Sequence, residues 1–183
     1  MKKYLITSPE FYTQESETFA EKLSLQIQKH QPDFILYRDK ENENYAALAK
    51  TFLDVCHKYE GLKAFIHQDF LLAKELGATG VHLNSTQFEK IAEAKELGLE
   101  VIVSTHTHDE VKEVQGLGAD YVTYSPIFPS PNKGIPKGIE DLKLIVKSAN
   151  IKIFALGGIV DKAQIKAVED AKAFGFASIR YFF

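Results

Sequence analysis

Tyr37-Arg38-Asp39-Lys40 sets two cations on either side of one acid, at a spacing that lets a guanidinium and an ammonium grip the oxygens of one phosphoryl group. Further along, Ser125-Pro126-Ile127-Phe128-Pro129-Ser130-Pro131-Asn132-Lys133-Gly134 gathers small hydroxyls, an amide and a lysine on a proline-stiffened segment. Such a segment suits an anion-binding lid, because prolines limit the entropy lost when a loop closes on its ligand. Ala155-Leu156-Gly157-Gly158-Ile159 offers a backbone that can approach a phosphate unobstructed by side chains. Ser178 and Arg180 stand near the end of the chain, where Arg180 would add charge to the same phosphate if it faces the others. Each group alone has a bland competitor, since surface Arg-x-Lys pairs, structural loops and solvated arginines are common.

Convergence of these segments requires elements that bring them to one end of the molecule. Short apolar, β-branched or aromatic runs alternate with segments spaced as amphipathic helices. Eight strands are predicted: 4–7, 34–37, 64–67, 80–83, 100–104, 121–124, 152–156 and 176–179. Seven helices fall between them, near 15–30, 44–59, 70–76, 88–97, 108–117, 138–148 and 162–170. Gly77, Gly98 and Gly118 each stand where a helix needs a left-handed cap, just ahead of a strand.

Strict alternation predicts parallel strands joined by right-handed crossovers. Eight strands favour closure, so the expected fold is α/β, a single-domain TIM-type (βα)8 barrel over 1–183. The open doubly wound sheet is the competitor. It is disfavoured because no G-x-G-x-x-G follows the first strand. Tyr181, Phe182 and Phe183 follow the eighth strand directly, where a full barrel adds a final helix. The expectation is therefore a barrel lacking that helix, its apolar gap covered by a second copy of the chain or by the C-terminal segment folding back.

Composition narrows the function classes. With 183 residues, 45% hydrophobic and 26% charged, the chain is the size of one globular domain with a full core. A net charge of −3 with no long basic tract gives no footprint for nucleic acid or an anionic membrane. The single cysteine, Cys56, excludes an internal disulfide or a cysteine-based zinc cluster and fits a reducing compartment. The polar N-terminus resembles no signal peptide and no apolar run reaches membrane-spanning length, so a cytoplasmic protein handling small molecules is expected.

In order and spacing, these motifs together resemble the thiamin phosphate synthase family and its relative, the thiazole tautomerase. Leu36-Tyr37-Arg38-Asp39-Lys40 resembles the family's Q-L-R-x-K, and Gly77-Ala78-Thr79-Gly80-Val81-His82-Leu83 its G-A-D-G-V-H-L. Val103-Ser104-Thr105-His106, Ala119-Asp120-Tyr121, Pro126-Ile127-Phe128-Pro129 with Lys133, and Gly157-Gly158-Ile159 complete the set. The resemblance implies a transferase of thiamine biosynthesis that joins hydroxymethylpyrimidine diphosphate to thiazole phosphate, with magnesium assisting the departing diphosphate. By the same resemblance, Arg38, Lys40, Ser130, Asn132 and Lys133 would hold the diphosphate, with Arg38, Lys40 and Lys133 carrying the catalysis. Ser104 would lie by the pyrimidine, and Gly157, Gly158 and Ser178 would hold the thiazole phosphate.

The chain departs from the pattern at defined places. The family's two magnesium carboxylates fall at Gln68 and Gln87, and hard Mg²⁺ prefers anionic oxygens to neutral amides. No metal ligand is therefore assigned, and Asp39 and Asp69 are the nearest acids that a shifted site could use. The family's glutamine before the arginine falls at Leu36, and the asparagine of its third-strand motif at His67. The tautomerase's acid/base histidine falls at Pro126, which leaves His67 or His106 to move a proton. A zinc site on His67, His82 and His106 lacks both an H-E-x-x-H motif and a carboxylate partner. The alternatives to a synthase are a diverged tautomerase and a non-catalytic binder of a phosphorylated thiazole or pyrimidine.

Overall fold

The helices begin where short polar side chains can reach back to free backbone N–H groups. In the computed structural model, which describes Met1–Phe183, Asp161 and Gln164 close a reciprocal capping box at α7 (Lys162–Asp170). Thr107 accepts from Glu110 N at α5 (His108–Gly116) and Asp69 from Leu72 N at α3 (Phe70–Glu75). Gly77, Gly98 and Gly118 sit at φ +72°, +79° and +91°, the left-handed conformation expected of them. The remaining helices are α1 (Ser16–His30), α2 (Tyr45–Cys56), α4 (Ile91–Glu96) and α6 (Gly138–Ser148). The segment expected as one helix over 88–97 divides into a 3-10 turn, Phe88–Lys90, and α4.

Between the helices run β1 (Lys2–Ile6), β2 (Phe34–Tyr37), β3 (Lys63–His67), β4 (Gly80–Leu83), β5 (Glu100–Thr105), β6 (Tyr121–Tyr124), β7 (Lys152–Leu156) and β8 (Gly175–Ser178). All pair in parallel in chain order, and β8 returns to β1 with Leu5 beside Ser178, closing the barrel. Each strand therefore has two buried faces. One packs on the helices through residues such as Leu5, Ile35, Val81, Val103 and Val122. The other fills the barrel with Tyr4, Ile6, Phe34, Leu36, Phe65, Ile102, Tyr121, Phe154 and Ala177.

Aromatic rings close the lower end of the barrel. Phe34 stacks on Phe65 at 5.7 Å and meets the edge of Phe154 at 5.0 Å, while Lys63 reaches Glu100 at 2.6 Å and Tyr121 OH at 3.3 Å. Gly80 and Gly175 make room for these rings. A Cβ on Gly175 would lie 2.6 Å from Phe154 Cε1, and one on Gly80 would run into the Glu100 carbonyl. With the bottom sealed, the interior is open only at the C-terminal ends of the strands. That is where this architecture places chemistry.

After β8 the chain makes a 3-10 turn, Arg180–Phe182. The buried Phe182 ring stacks on Phe176, and Phe183 lies 4.7 Å from Phe11 and 5.4 Å from Tyr12. The last residues thus fold back onto the barrel wall. No helix is long and apolar enough to cross a membrane.

Candidate active site

The mouth of the barrel holds a cavity of about 540 Å³, within the usual range for small-molecule sites. Arg38 and Lys40 reach it from the loop after β2, Ser104 from β5, and Ser130 and Lys133 from the loop after β6. Gly157 and Gly158 line it after β7, Ser178 at the end of β8, and Arg180 just after it. Nine of the ten residues expected at the site thus line one cavity. The tenth, Asn132, lies outside: it is exposed, at φ +56° on the outer turn of its loop, and does not line the cavity. A left-handed turn residue directs its side chain by the turn, and the sequence pattern carries no sign of that direction.

The charge distribution is one-sided. Surface lysines elsewhere, such as Lys95 and Lys166, pair with carboxylates, whereas Arg38, Lys40, Lys133 and Arg180 have no ion-pair partner. Asp39 forms no ion pair with them, although its charge works against the effect of burial on Arg38; its own buried carboxylate accepts from Gln14 Nε2 at 3.0 Å and Glu41 N at 3.3 Å. The repulsion is felt by Lys40, whose ammonium is pushed below its usual range by Arg38 first, then by burial and by Lys133. Burial lowers Arg38 as well, and the Thr7 hydroxyl fixes its backbone by accepting from Arg38 N at 3.0 Å. Four cations against the single carboxylate of Glu10, with which none of them forms an ion pair, make the cavity an anion site.

The loops after β3 and β4 do not fit a divalent cation. Gln87 accepts from Asn84 N through Oε1 at 3.1 Å and donates through Nε2 to the Gln68 carbonyl at 3.3 Å, so it cross-links the loops after β3 and β4. Gln68 sits at φ +66°. Asp69 is occupied as the α3 cap, and Asp39 as described. Three His, Cys, Asp or Glu side chains that could share a metal ion occur nowhere in the chain. Mg²⁺ prefers anionic oxygens in octahedral array, and these loops offer neutral amides, of which that of Gln87 is already in use.

Three histidines approach the cavity. His67 is held neutral, its pKa pushed down to about 3 by burial, then by Arg38 and Lys40, which makes it a poor proton acceptor near neutrality. His106 lies at the rim, its backbone N–H donating to Glu110 Oε2 at 2.5 Å. His82 is buried at the cavity floor, between Tyr4 and Ser104. Burial and the nearby His67 and Arg38 hold it neutral.

The glycine pair carries a structural demand of its own. Gly157 and Gly158 have φ of +99° and +70°, and a Cβ on Gly158 would lie 2.5 Å from the Pro129 carbonyl oxygen. Phe128 N donates to Gly157 O at 3.0 Å, so the loop after β6 lies on the loop after β7. Ser178 is likewise engaged: it donates to Ile159 O at 2.7 Å and accepts from Tyr181 N at 3.2 Å. Its hydrogen holds two loops together and is not free for a phosphate.

Sequence reasoning missed the loops after β1 and β4. Ser8, Glu10 and Phe11 from the first, and Asn84 and Thr86 from the second, complete the cavity wall. Barrel topology supplied the missing signal, since every βα loop contributes to the mouth.

Residues 3–182 match the family described as thiamine monophosphate synthase. The thiamine-phosphate synthase of Nitrosococcus oceani is 32% identical over 143 residues, 74% of this chain and 65% of that protein's length. A putative thiamine-phosphate synthase 2 of Aquifex aeolicus is 32% identical over 98% of this chain and 96% of its own. Among solved structures, the thiamine phosphate pyrophosphorylase of Pyrococcus furiosus superposes with a TM-score of 0.79 at 27% identity, covering 97% of this chain and 85% of that one. Barrel, cationic mouth and a match from end to end agree, and the chain belongs to the thiamine monophosphate synthase family.

Proposed function

We propose that the chain binds hydroxymethylpyrimidine diphosphate and a thiazole phosphate at the barrel mouth and joins them into thiamin phosphate with release of diphosphate. The carrying observation is the set of four unpaired cations on one cavity, close enough that Arg38 and Lys133 both depress Lys40. Such a reaction builds negative charge on the departing diphosphate, and preorganised cations at that position lower its barrier. Arg38, Lys40 and Lys133 take that role, with Ser130 beside them. Arg180 and the backbone at Gly157 and Gly158 face the second phosphate. In this reading leaving-group charge is met by side chains, without Mg²⁺, because Gln68 and Gln87 supply no carboxylate. The protein would act in the cytoplasm, without nucleic acid or membrane, alone or as a homo-oligomer.

The test supplies both substrates to the purified protein with Mg²⁺ and with chelator, and follows thiamin phosphate. Product formed equally in both conditions supports the reading. No product at high protein concentration removes the synthase activity. Retained affinity for either phosphorylated substrate would then identify a binding protein. A tautomerase finds no support in His67, whose depressed pKa makes it a weak base.

A further inference from the structure

A second polar array runs from the barrel core to the floor of the cavity. Tyr4 is fully buried, and its hydroxyl has one polar neighbour, His82 Nδ1 at 2.8 Å. The other ring nitrogen, Nε2, lies 3.0 Å from Ser104 Oγ, and Ser104 lines the cavity. No other protein group bonds to the Ser104 side chain.

Elementary hydrogen counting fixes the direction of this chain. A phenol has one hydrogen to give. If His82 Nδ1 carried a proton it would donate to the Tyr4 oxygen, and the Tyr4 hydrogen would point among Phe34, Phe65 and Phe154 without an acceptor. Nδ1 therefore accepts. A doubly protonated ring is opposed by burial of its charge beside His67 and Arg38. The remaining hydrogen sits on Nε2 and is donated to Ser104 Oγ, which leaves the Ser104 hydroxyl hydrogen free for the cavity.

We propose that His82 is a positioning residue: pinned by Tyr4 as the Nε2–H tautomer, it makes Ser104 a hydrogen-bond donor to the ligand. The site then selects a ligand that presents an acceptor at Ser104, such as an unprotonated ring nitrogen, over one that presents an amino or hydroxyl hydrogen. The selection step rests on the reading above that a phosphorylated heteroaromatic occupies the cavity; the tautomer does not.

Nitrogen-15 NMR of histidine-labelled wild-type protein at neutral pH decides the tautomer without any ligand. Nδ1 in the unprotonated range and a hydrogen on Nε2 are expected, and a hydrogen on Nδ1 overturns the proposal. Calorimetry with hydroxymethylpyrimidine diphosphate and with inorganic diphosphate tests the consequence. Ser104→Ala and His82→Leu should each weaken the pyrimidine compound by roughly three- to tenfold and leave inorganic diphosphate unchanged. In the Ser104→Ala background His82→Leu should add nothing, because its effect passes through Ser104. Additive losses, or equal losses for both ligands, would make His82 structural and overturn the proposal. Failure of wild type to bind either compound refutes the proposed function and the selection step with it, while the NMR result still decides the tautomer.

Discussion

Replacing His67 with asparagine should remove an acid-sensitive term from the stability of the barrel. In the fold His67 is largely buried, and its pKa of about 3 reflects burial first and then the fields of Arg38 and Lys40. In the unfolded chain it returns to about 6.5. Above that value both states are neutral and the residue contributes no pH dependence. As pH falls below about 6.5 the unfolded chain takes up a proton that the folded chain refuses, so stability drops until pH reaches about 3. The slope is about 1.4 kcal/mol per pH unit, and between pH 6.5 and 5 the loss is about 2 kcal/mol. Asparagine has no such proton to take.

Urea unfolding of wild type and His67→Asn at pH 7.5, 6 and 5 measures this directly. The difference between the two proteins should shift by about 2 kcal/mol in favour of the variant across that range. His82 is held neutral in both proteins and cancels in the comparison. Saturating inorganic diphosphate should shrink the shift, because an anion on Arg38 and Lys40 offsets two of the three causes of the lowered pKa. Parallel curves without ligand would refute the burial of a neutral imidazole at this position. A shift that diphosphate leaves untouched would place the anion away from Arg38 and Lys40.

Lys133→Ala should weaken inorganic diphosphate about tenfold by calorimetry in chelator, and an unchanged affinity would take Lys133 out of the site. Mg²⁺ should not tighten diphosphate binding to wild type, whereas the double variant Gln68→Asp with Gln87→Asp should gain a Mg²⁺ dependence; tightening in wild type would contradict the metal-free reading. Gly158→Ala should lower Tm by several degrees, since its Cβ meets the Pro129 carbonyl at positive φ; an unchanged Tm would show that the two loops separate without cost.

The barrel was legible because its signals are local and repeated. Gly77, Gly98 and Gly118 mark three successive helix ends by a backbone requirement that few other residues meet, and the β-branched runs between them leave little choice of element. The division of 88–97 into a 3-10 turn and a helix was not legible. Nothing in Phe88-Glu89-Lys90 marks a change of hydrogen-bond pattern, and the Gln87 side chain just before the turn is engaged with the Asn84 backbone, a contact decided by the loop's fold.

At the site, the cations were readable and the hydrogen-bond assignments were not. Arg38 and Lys40 announce themselves by type and spacing, and topology then delivers Lys133 and Arg180 to the same mouth. Ser178 and Asn132 show the limit of that reasoning. A hydroxyl and an amide in a phosphate-binding family invite a phosphate role, yet the Ser178 hydrogen is given to Ile159 O and Asn132 stands on the outer turn of its loop. The same limit explains Tyr4. As an aromatic in a strand its presence in the core needs no further reason, and only its 2.8 Å approach to His82, 78 residues away in sequence, turns a packing residue into one that sets the direction of a hydrogen bond at the cavity floor.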